Sequence, residues 1–376
     1  MKILYISSSK IPSRQANGVH VMKMCRAFAK NGHNVTLLAR RGEIKDIKNE
    51  YDYYGVNNCF QIKKLSFSVG ILEKVLYLIR VWWHVFKYKG RYDFIYGRFL
   101  YGIWLASKTR TPFSYESHSP PCGMLERAVE KSTLKSPSMM SIIVISNSLK
   151  EIYKKLYSWM DSKKILVAHD GADVLKEREV FRENTGPAVL GGKGKIKIGY
   201  VGSLYQGRGI ELIIQLARRL PDMDFHIMGG SDLEISKYKK YTANGNIFFY
   251  KFVPHAKIGN YLREFDILLA PYQKKVGIAK RGKDTVKWMS PLKIFEYMSY
   301  GKAIVCSDLP VLKEILENKK TALLCHPENV EEWVNAINQL HSPDLRNLLG
   351  KNAKYELENK YAWDIRAKNV LEDINI

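Results

Sequence analysis

Short apolar segments that alternate with helical patterns constrain the fold of this chain more than any other feature. Residues 3–8, ILYISS, are apolar and end in serines, which is typical of a short buried strand in a parallel sheet. After a loop at 9–18, a helical pattern runs to the helix-terminating residues Asn31 and Gly32, and a second strand follows at 35–38. Strand, helix and strand within the first 40 residues predict a βαβ unit.

The same alternation continues in two series, which predicts an α/β protein with two doubly wound parallel-sheet domains. The first series has candidate strands at 94–98, 113–117, 142–146 and 165–169. The second has candidate strands at 196–203, 225–230, 247–253, 267–272, 302–308 and 322–326. Because such sheets bind ligands at the carboxyl ends of their strands, we expect the two domains to face a common cleft.

A stretch rich in Gly, Pro and Lys, ENTGPAVLGGKGK at 183–195, separates the two series and is typical of an interdomain linker. We therefore predict an amino-terminal domain at 1–185 and a carboxyl-terminal domain at 195–360. The last segment, 361–376, has a helical pattern and is long enough to cross back to the first domain.

Composition excludes several other classes of protein. Hydrophobic residues make up 46% of the 376 residues and charged residues 26%, unlike the composition of disordered or collagen-like chains. The cysteines are scattered without a C-x-x-C pair, which favours a reducing compartment over a disulfide scaffold or a structural zinc site. We find neither a signal peptide nor a membrane-spanning stretch, so we expect a cytoplasmic protein. The cysteines are Cys25, Cys59, Cys122, Cys306 and Cys325.

The positive charge of the chain is unevenly distributed. Residues 1–200 contain 34 Lys and Arg against 16 Asp and Glu, a net charge of +18, whereas residues 201–376 contain 26 against 21, a net charge of +5. Such an excess predicts an anionic partner for the first half: a nucleic acid, a phospholipid surface or a phosphorylated substrate. A generally basic proteome would explain the charge equally well.

Residues 69–91 combine apolar and basic side chains at helical spacing. An interfacial helix on an anionic membrane has this pattern, and so does an amphipathic helix whose apolar stripe packs on the sheet of its own domain. Packing on the sheet is favoured for the stripe, while the charge excess favours an anionic surface or a lipid-pyrophosphate acceptor. The stripe consists of Leu72, Val75, Leu76, Ile79, Trp83 and Phe86, and the flanking cations are Lys74, Arg80, Lys87, Lys89 and Arg91.

The strongest signal for a ligand site is the segment SPLKIFEYMSYGKAIVCSDLPVLKEIL, which begins at Ser290. Ser290 at the N-cap and Pro291 at the first helical position predict a helix start, with Leu292 and Lys293 in the first turn. Free amides and the helix dipole attract an anion there, and Lys293 adds a mobile positive charge. Glu296, three residues on, can accept two hydrogen bonds from a ribose diol. A Lys–Glu pair on a surface helix explains the spacing equally well.

A second signal is the segment YVGSLYQGRGIELII at 200–214. A strand is expected to end at Gly202, and a tight loop then brings Arg208 and Gly209 to a helix start. An arginine at this place can clamp a diphosphate with two hydrogen bonds. The segment lacks the terminal G-K-[ST] of a P-loop.

Two loops of the first domain also carry candidate residues. Asn17 and Gly18 precede a helix, and glycine there permits close approach of a phosphate or sugar, although a simple βα turn would look the same. His118, in FSYESHSPP, lies just past a strand end, where a lone histidine is more often structural than catalytic. Arg98, which ends the preceding strand, could contact an anionic acceptor or pair with Glu116.

Together these segments resemble glycosyltransferase family 4, and the resemblance extends over essentially the whole chain. It implies the GT-B fold, with two Rossmann-like domains, and sugar transfer from a nucleotide-sugar with retention of anomeric configuration and without a divalent metal. At the position of Glu296 the family has a glutamate that holds the donor's ribose, and Trp288 stands where its E-x7-E motif has the first glutamate. In the family's G-R-x4-K-G pattern, Arg208 takes the place of the lysine and Ser203 that of the arginine.

The resemblance also implies roles for residues of the first domain. A histidine at the position of His118 lines the donor-sugar pocket, and the loop with Gly18 borders the donor phosphate and the acceptor. The nucleotide base is expected beside the main chain of Val253, after a strand of the second domain, with space near Gly230.

These observations predict a glycosyltransferase of hexosyltransferase type that needs no cofactor and acts in bacterial polysaccharide biosynthesis at the inner face of the cell membrane. A UDP-sugar is the favoured donor, with a GDP-sugar as the alternative, and the acceptor is expected to be lipid-linked or a surface glycan. Two other functions stay open. An epimerase with the GT-B fold would share the donor site but needs acid and base carboxylates that we cannot assign. A nucleic-acid-binding protein would explain the charge but not the phosphate turn. The catalytic candidates are His118, Arg208 and Lys293, and the acceptor-side candidates are Asn17, Arg98 and Glu116.

Overall fold

A computed structural model describes residues 1–44, 47–65, 71–175, 190–192, 196–241, 245–277 and 284–372. The chain divides into two compact units, Met1–His169 with Trp363–Ile376, and Asp170–Ala362. The predicted linker at 183–195 lies, except for 190–192, outside the described residues, as do the predicted domain limits at 185 and 195.

The first unit contains a parallel sheet that is doubly wound. Its described strands are β1 (Lys2–Ile11), β2 (Asn34–Arg41), β3 (Gln61–Lys64), β4 (Phe94–Gly97), β5 (Phe113–Ser117), β6 (Met139–Val144) and β7 (Ile165–Val167). They pair in the order β3-β2-β1-β4-β5-β6-β7, which runs outward from β1 in both directions. This order confirms the predicted fold class for the first half of the chain. The strand β3 was not predicted from the sequence.

Helices connect these strands, and the first of them begins earlier than predicted. The helices of this part are α1 (Ala16–Lys30), α2 (Glu50–Tyr54), α3 (Ile71–Lys87), α4 (Leu100–Ala106), α5 (Met124–Leu134) and α6 (Asn147–Leu156). The strand β1 continues beyond an irregularity in its pairing with β2, so that Lys10 and Ile11 still pair with Arg40 and Arg41. The predicted loop at 9–18 is therefore wrong, because its last three residues form the first turn of α1.

The second unit has the same architecture. Its described strands are β8 (Ile196–Val201), β9 (Met223–Met228), β10 (Ile247–Tyr250), β11 (Ile267–Ala270), β12 (Ala303–Ser307) and β13 (Leu323–Cys325), paired in the order β10-β9-β8-β11-β12-β13. Its helices are α7 (Ile210–Arg219), α8 (Asp232–Lys239), α9 (His255–Glu264), α10 (Leu292–Ser299), α11 (Val330–Gln339) and α12 (Pro343–Glu356), followed by a π-helical turn at Leu357–Tyr361. The prediction of a second doubly wound sheet is confirmed.

The core of the second unit covers both faces of its sheet. One face packs against α7 and α11 with the buried side chains of Ile213 and Trp333, and the other packs against α10 with Phe295 and Met298. Since both faces of a parallel sheet are covered in this way, polar groups can meet a ligand at the ends of the strands.

The last helix, α13 (Trp363–Glu372), packs on α1 in the first unit. Asp364 forms an ion pair with Lys30, and its carbonyl accepts a hydrogen bond from Asn31 Nδ2 at 2.9 Å. In the second unit, the Ala172 amide donates to the Tyr361 carbonyl at 3.3 Å, and Ala172 forms a β-bridge with Ala362. No helix among the described residues combines the length and the apolar character needed to cross a membrane.

Candidate functional site

The first turn of α10 presents Lys293 to two buried tyrosine rings. Lys293 Nζ lies 3.7 Å from the centroid of the Tyr200 ring and 5.3 Å from that of Tyr272. It has no hydrogen-bond partner among the described residues. Burial, together with the charge of Arg208, holds the pKa of the Lys293 ammonium well below its ordinary value. A cation that is held only by aromatic faces is available to an incoming anion.

The turn between β8 and α7 brings a second cation to the same place. The guanidinium carbon of Arg208 lies 5.3 Å from the centroid of the Tyr272 ring. Gly209, the N-cap of α7, has φ of +78°, and a Cβ at this position would lie 2.0 Å from the carbonyl oxygen of Pro271. In the part of the chain that the structure describes, neither Arg208 nor Lys293 forms an ion pair with a carboxylate. The structure thus brings both predicted phosphate-binding cations to one aromatic ring.

The other donor-side candidates of this unit lie in the loops after β8, β9 and β10. Ser203 follows β8, Gly230 follows β9 with φ of +79°, and Val253 lies partly buried three residues after β10. The first two loops touch, since a Cβ on Gly229 would lie 2.0 Å from the carbonyl oxygen of Gly202. These loops share the carboxyl edge of the sheet, the edge at which doubly wound folds bind ligands.

The start of α10 differs from the prediction. Ser290 is not the N-cap, because its Oγ is buried and accepts a hydrogen bond at 2.8 Å from the amide of Asp170, where the chain enters this unit. Pro291 is the N-cap instead, and Leu292 is the first helical residue. Ser290 therefore ties two segments of the unit together, while Leu292 and Lys293 form the amino end of the helix.

Glu296 has a partner that the sequence did not indicate. Its Oε1 lies 2.7 Å from Nε2 of His255, the first residue of α9. Both side chains are partly exposed, at 17% for Glu296 and 20% for His255. The predicted alternative, an ion pair between Glu296 and Lys293, is not formed between these two described residues. One carboxylate oxygen of Glu296 is thus held by a neighbouring helix, and the other has no hydrogen bond within the described chain.

In the first unit, Glu116 is the centre of a buried polar cluster at the end of β5. Its Oε1 lies 2.7 Å from His20 Nε2 and 2.5 Å from His118 Nε2. The same oxygen lies 3.2 Å from Arg366 Nη2, and Oε2 accepts a hydrogen bond from the Tyr96 hydroxyl. Although burial alone would raise the pKa of the Glu116 carboxyl, Arg366 and the two histidines hold it well below its ordinary value.

His118 is partly exposed and opens the loop that follows β5. Burial and the nearby charge of Arg98 lower the pKa of the His118 imidazole to about 4, despite the opposing effect of Glu116. The imidazole is therefore neutral at neutral pH. A neutral ring anchored on one side by a carboxylate can offer its other nitrogen to a ligand.

Arg98 and the two residues at the start of α1 are placed differently from the prediction. Arg98 is not among the partners of Glu116, so the predicted pairing of these residues is wrong, and its Nη1 has no hydrogen-bond partner in the described chain. Gly18 lies in the helix, where a Cβ would come within 2.6 Å of the Tyr54 hydroxyl. Close packing against Tyr54 therefore explains why a glycine occupies this position. Asn17 Oδ1 is buried without a partner among the described residues.

The ligand-type atoms of His20, Glu116 and His118 lie within 4.8 Å of one another, which is close enough to hold a metal ion. Arg366 contacts the same Glu116 oxygen, and its fixed positive charge opposes a divalent cation at that position. The cluster therefore fits an ion-paired carboxylate better than a metal centre.

The apolar stripe on α3 faces outward, so the prediction that it packs on the sheet is wrong. The opposite side of the helix packs inward, where Tyr77, Val81 and Val85 are buried and the polar groups have partners. Glu73 pairs with Arg40, and the Tyr77 hydroxyl donates to the carbonyl of Ser7. Lys87 Nζ lies 4.2 Å from the centroid of the exposed Trp83 ring. The exposed fractions of the outward residues are 73% for Leu72, 54% for Val75, 41% for Leu76, 51% for Ile79, 48% for Trp82, 51% for Trp83 and 38% for Phe86.

Several residues of these sites were not predicted from the sequence. Tyr272 could have been found from the sequence, because it follows the apolar segment of β11 and polar side chains at strand ends commonly line ligand sites. No sequence pattern indicated Arg366, because it lies 250 residues from Glu116 in the sequence. His20, Tyr200 and His255 lie within segments where the sequence pointed to other residues.

Comparison with known proteins follows the division into two units. A family model described as "Glycosyl transferases group 1" matches residues 182–356, and one described as "Glycosyltransferase Family 4" matches residues 18–175. An uncharacterized glycosyltransferase of Methanocaldococcus jannaschii is 24% identical over 230 residues, which are 59% of this chain and 55% of that protein. The chain thus spans about half the length of this curated relative.

Solved structures resemble the whole chain. Sucrose-phosphate synthase from Thermosynechococcus elongatus superposes with a TM-score of 0.72 at 16% identity, over 99% of this chain and 98% of that chain. Anabaena HepE in complex with UDP-glucose gives a TM-score of 0.69 at 15% identity, over 99% and 98% of the two chains. At these identities the likeness concerns the fold.

Proposed function

The chain belongs to the GT-B glycosyltransferases of the family 4 type, and from this premise we propose that it transfers a sugar from a nucleotide-sugar to a hydroxyl acceptor with retention of anomeric configuration. The observation that carries the proposal is the pair of cations, Arg208 and Lys293, which face Tyr272 without carboxylate partners among the described residues. A diphosphate supplies the negative charge that this pair lacks.

The chemistry follows from where charge develops. When the bond between the anomeric carbon and the phosphate oxygen breaks, negative charge grows on the leaving diphosphate. Arg208, Lys293 and the amino end of α10 stabilise that charge in a largely buried setting and therefore lower the barrier. We assign no carboxylate nucleophile. The acceptor hydroxyl therefore attacks the face that the diphosphate leaves, and its proton passes to the departing phosphate oxygen.

Several residues support a nucleoside diphosphate as the donor's leaving group. Glu296 has one oxygen held by His255, which leaves the other for a ribose hydroxyl. The main chain at Val253, with Gly230 nearby, would receive the base. HepE, whose fold is similar, was crystallised with UDP-glucose, and this supports a UDP-sugar as the favoured donor. The two cations supply the charge that a divalent metal provides in other transferases, so we propose that no metal is required.

The first unit would serve the sugar and the acceptor. In this assignment His118 contacts the transferred sugar, and Asn17 and Arg98 lie on the acceptor side, each with a polar atom that lacks a partner in the described chain. The net charge of +18 on residues 1–200 supports an anionic acceptor, such as a lipid-linked glycan in polysaccharide biosynthesis.

The outward face of α3 supports attachment to an anionic membrane from the cytoplasmic side. Trp82 and Trp83 are half exposed next to Lys87, and an interfacial helix combines exposed aromatic and aliphatic side chains with cations in this way. Lys74, Lys89 and Arg91 are exposed on or just after the helix. The same surface would keep the enzyme close to a lipid-linked acceptor.

A panel of nucleotide-sugars tests the proposal directly. We expect slow release of a nucleoside diphosphate from one donor, and an increase in melting temperature with the matching diphosphate but not with the monophosphate. Activity should persist in the presence of EDTA. The double variant Arg208→Ala/Lys293→Ala should lose both effects, whereas Lys320→Ala, which removes an exposed cation paired with Glu317, should keep them. If the double variant binds the diphosphate as the parent does, the assigned site is wrong.

A further inference from the structure

Glu116 is contacted at once by Arg366, Tyr96, His118 and His20. We propose that Arg366 and His20 are positioning residues that keep the Glu116 carboxylate ionised, so that it only accepts hydrogen bonds. His118 is thereby fixed in the tautomer with its proton on Nε2. The lone pair of its Nδ1 is then presented to the substrate. This proposal concerns the sugar contact assigned to His118 and rests on the proposed function for its catalytic readout.

The protonation state of Glu116 is determined by the groups around it, of which one is always charged. Arg366 is permanently charged, is only 3% exposed, and lies 3.2 Å from Oε1. Paired with that charge and with a buried hydroxyl from Tyr96, the carboxyl stays ionised and can only accept hydrogen bonds. The His118 nitrogen that forms a hydrogen bond with it must therefore carry a proton.

That requirement decides the tautomer of His118. Its Nε2 lies 2.5 Å from Glu116 Oε1, and a neutral imidazole has only one proton. With this proton on Nε2, Nδ1 is an acceptor, and it has no hydrogen bond within the described chain. Such a nitrogen favours a hydroxyl group that donates to it and disfavours a phosphate or carboxylate oxygen.

His20 and Arg366 both contact Oε1 of Glu116. The His20 ring meets the His118 ring edge-on at a centroid distance of 5.0 Å, and it meets Trp363 edge-on at 5.2 Å. Both Trp363 and Arg366 belong to α13. The last helix of the chain therefore supplies the packing for one histidine and the charge that orients the other.

The placement of Arg366 depends on the shape of its guanidinium. Its Nε donates to the carbonyl of His169 at 2.7 Å, and Nη2 donates to that of Ala168 at 3.1 Å as well as to Glu116. The two carbonyls belong to the residues that directly follow β7. A lysine has the charge but not the planar fork, so it cannot satisfy all of them at once.

The direct test is the imidazole nitrogen spectrum of the full-length protein labelled with 15N-histidine, with the His118 signals assigned by their loss in His118→Gln. We expect the Nε2-protonated tautomer between pH 6 and 8 in the parent. In Arg366→Gln we expect tautomer exchange at His118, a fall of roughly 10- to 100-fold in kcat, and a change of less than about twofold in diphosphate affinity. Arg366→Lys should recover only part of kcat.

Lys368→Gln is the matched control, because Lys368 lies on the same helix, is 73% exposed and approaches only Glu372 at 3.8 Å. It should leave both the spectrum and kcat unchanged. A parent protein with protonated Nδ1 or with an imidazolium at pH 7 overturns the proposal, and so does an Arg366→Gln variant with an unchanged spectrum. The spectrum of the parent needs no substrate and no variant beyond the assignment. It therefore decides the tautomer even if Arg366→Gln fails to fold or if no nucleotide-sugar is turned over, and the latter result would count against the proposed function alone.

Discussion

Lys293 Nζ lies 3.7 Å from the centroid of the Tyr200 ring, and a Cβ on Gly202 would lie 2.7 Å from the same nitrogen. The ammonium is thus enclosed by an aromatic face and by a turn that only glycine leaves open. Because burial and Arg208 lower its pKa, the free protein holds this lysine at a cost that a bound anion would relieve.

Binding of a diphosphate should therefore take up a proton. The pKa of Lys293 is depressed in the free protein and should rise when the anion binds, so affinity should fall as the pH rises through the free-state pKa. Calorimetric titration with UDP at a series of pH values, each in two buffers of different ionisation enthalpy, measures the uptake. Lys293→Arg, which keeps its charge, should abolish it. Proton release on binding to the parent would contradict this assignment.

Removing either cation should slow the chemical step. We expect Arg208→Ala and Lys293→Ala each to lower kcat by roughly 10²–10³, since each removes a charge that stabilises the leaving group. Steady-state kinetics with the preferred donor gives the values, and thermal unfolding checks that the fold is retained. Two variants within about threefold of the parent would rule out the phosphate site.

Ribose recognition should depend on Glu296 and, to a smaller degree, on His255. Glu296→Ala should weaken nucleoside diphosphate binding by about 1.5–3 kcal/mol, the usual loss for hydrogen bonds to a charged group. A 2′-deoxy nucleotide should bind the parent poorly and lose less on mutation. His255→Ala should cause a smaller loss, because its contact is with the carboxylate oxygen of Glu296 and the ribose is assigned to the other oxygen. Equal losses for the ribose and deoxyribose forms would show that Glu296 does not hold the sugar.

Glu130 should make the first unit less stable at high pH. It is buried in α5, where the hydroxyls of Tyr153 and Tyr157 each donate to it at 2.7 Å, and burial raises its pKa to about 7. A raised pKa contributes stability that is fully present below the unfolded-state value and is lost as the pH rises through about 7.

The loss between pH 4 and pH 9 should be about 3 kcal/mol. Glu130→Gln should flatten the dependence of the melting temperature on pH, whereas Glu151→Gln, an exposed change on α6, should not. An unchanged pH profile in Glu130→Gln would mean that other groups cause it.

Membrane binding should depend on both the apolar and the basic side chains of α3. Liposomes with phosphatidylglycerol should bind the protein at about 50 mM salt and release most of it near 0.5 M, because each exposed cation near the surface contributes roughly 1 kcal/mol that salt screens. Two variants should each weaken binding without changing donor hydrolysis. One removes the exposed aromatic rings (Trp82→Ser/Trp83→Ser), and the other removes the exposed cations (Lys74→Gln/Lys87→Gln/Lys89→Gln/Arg91→Gln). Arg80 is kept, since it donates to the carbonyl of Leu65 at 2.7 Å. Transfer to a soluble acceptor by a protein that ignores such liposomes would refute the membrane proposal.

Features that depend on local sequence pattern were predicted from the sequence, whereas features that depend on contacts between distant residues were not. Alternating apolar segments predicted both sheets, and the turn residues led to Arg208 and Lys293. The side of α3 that packs inward could not be predicted, because apolar residues lie on both sides and the choice depends on partners such as Arg40 for Glu73. The N-cap of α10 was misplaced by one residue, because Ser290 is taken by the Asp170 amide, which no local signal indicates.

The β-bridge between Ala172 and Ala362 brings the two ends of the second unit together. In topological terms that unit is an insertion: it is one continuous stretch, Asp170–Ala362, placed within a first unit whose own chain is interrupted. The second unit can therefore be expressed as one continuous fragment, whereas the first unit requires Met1–His169 to be joined to Trp363–Ile376 by a linker. A chain truncated after Ala362 would lack Arg366 and would leave Glu116 buried without its cation.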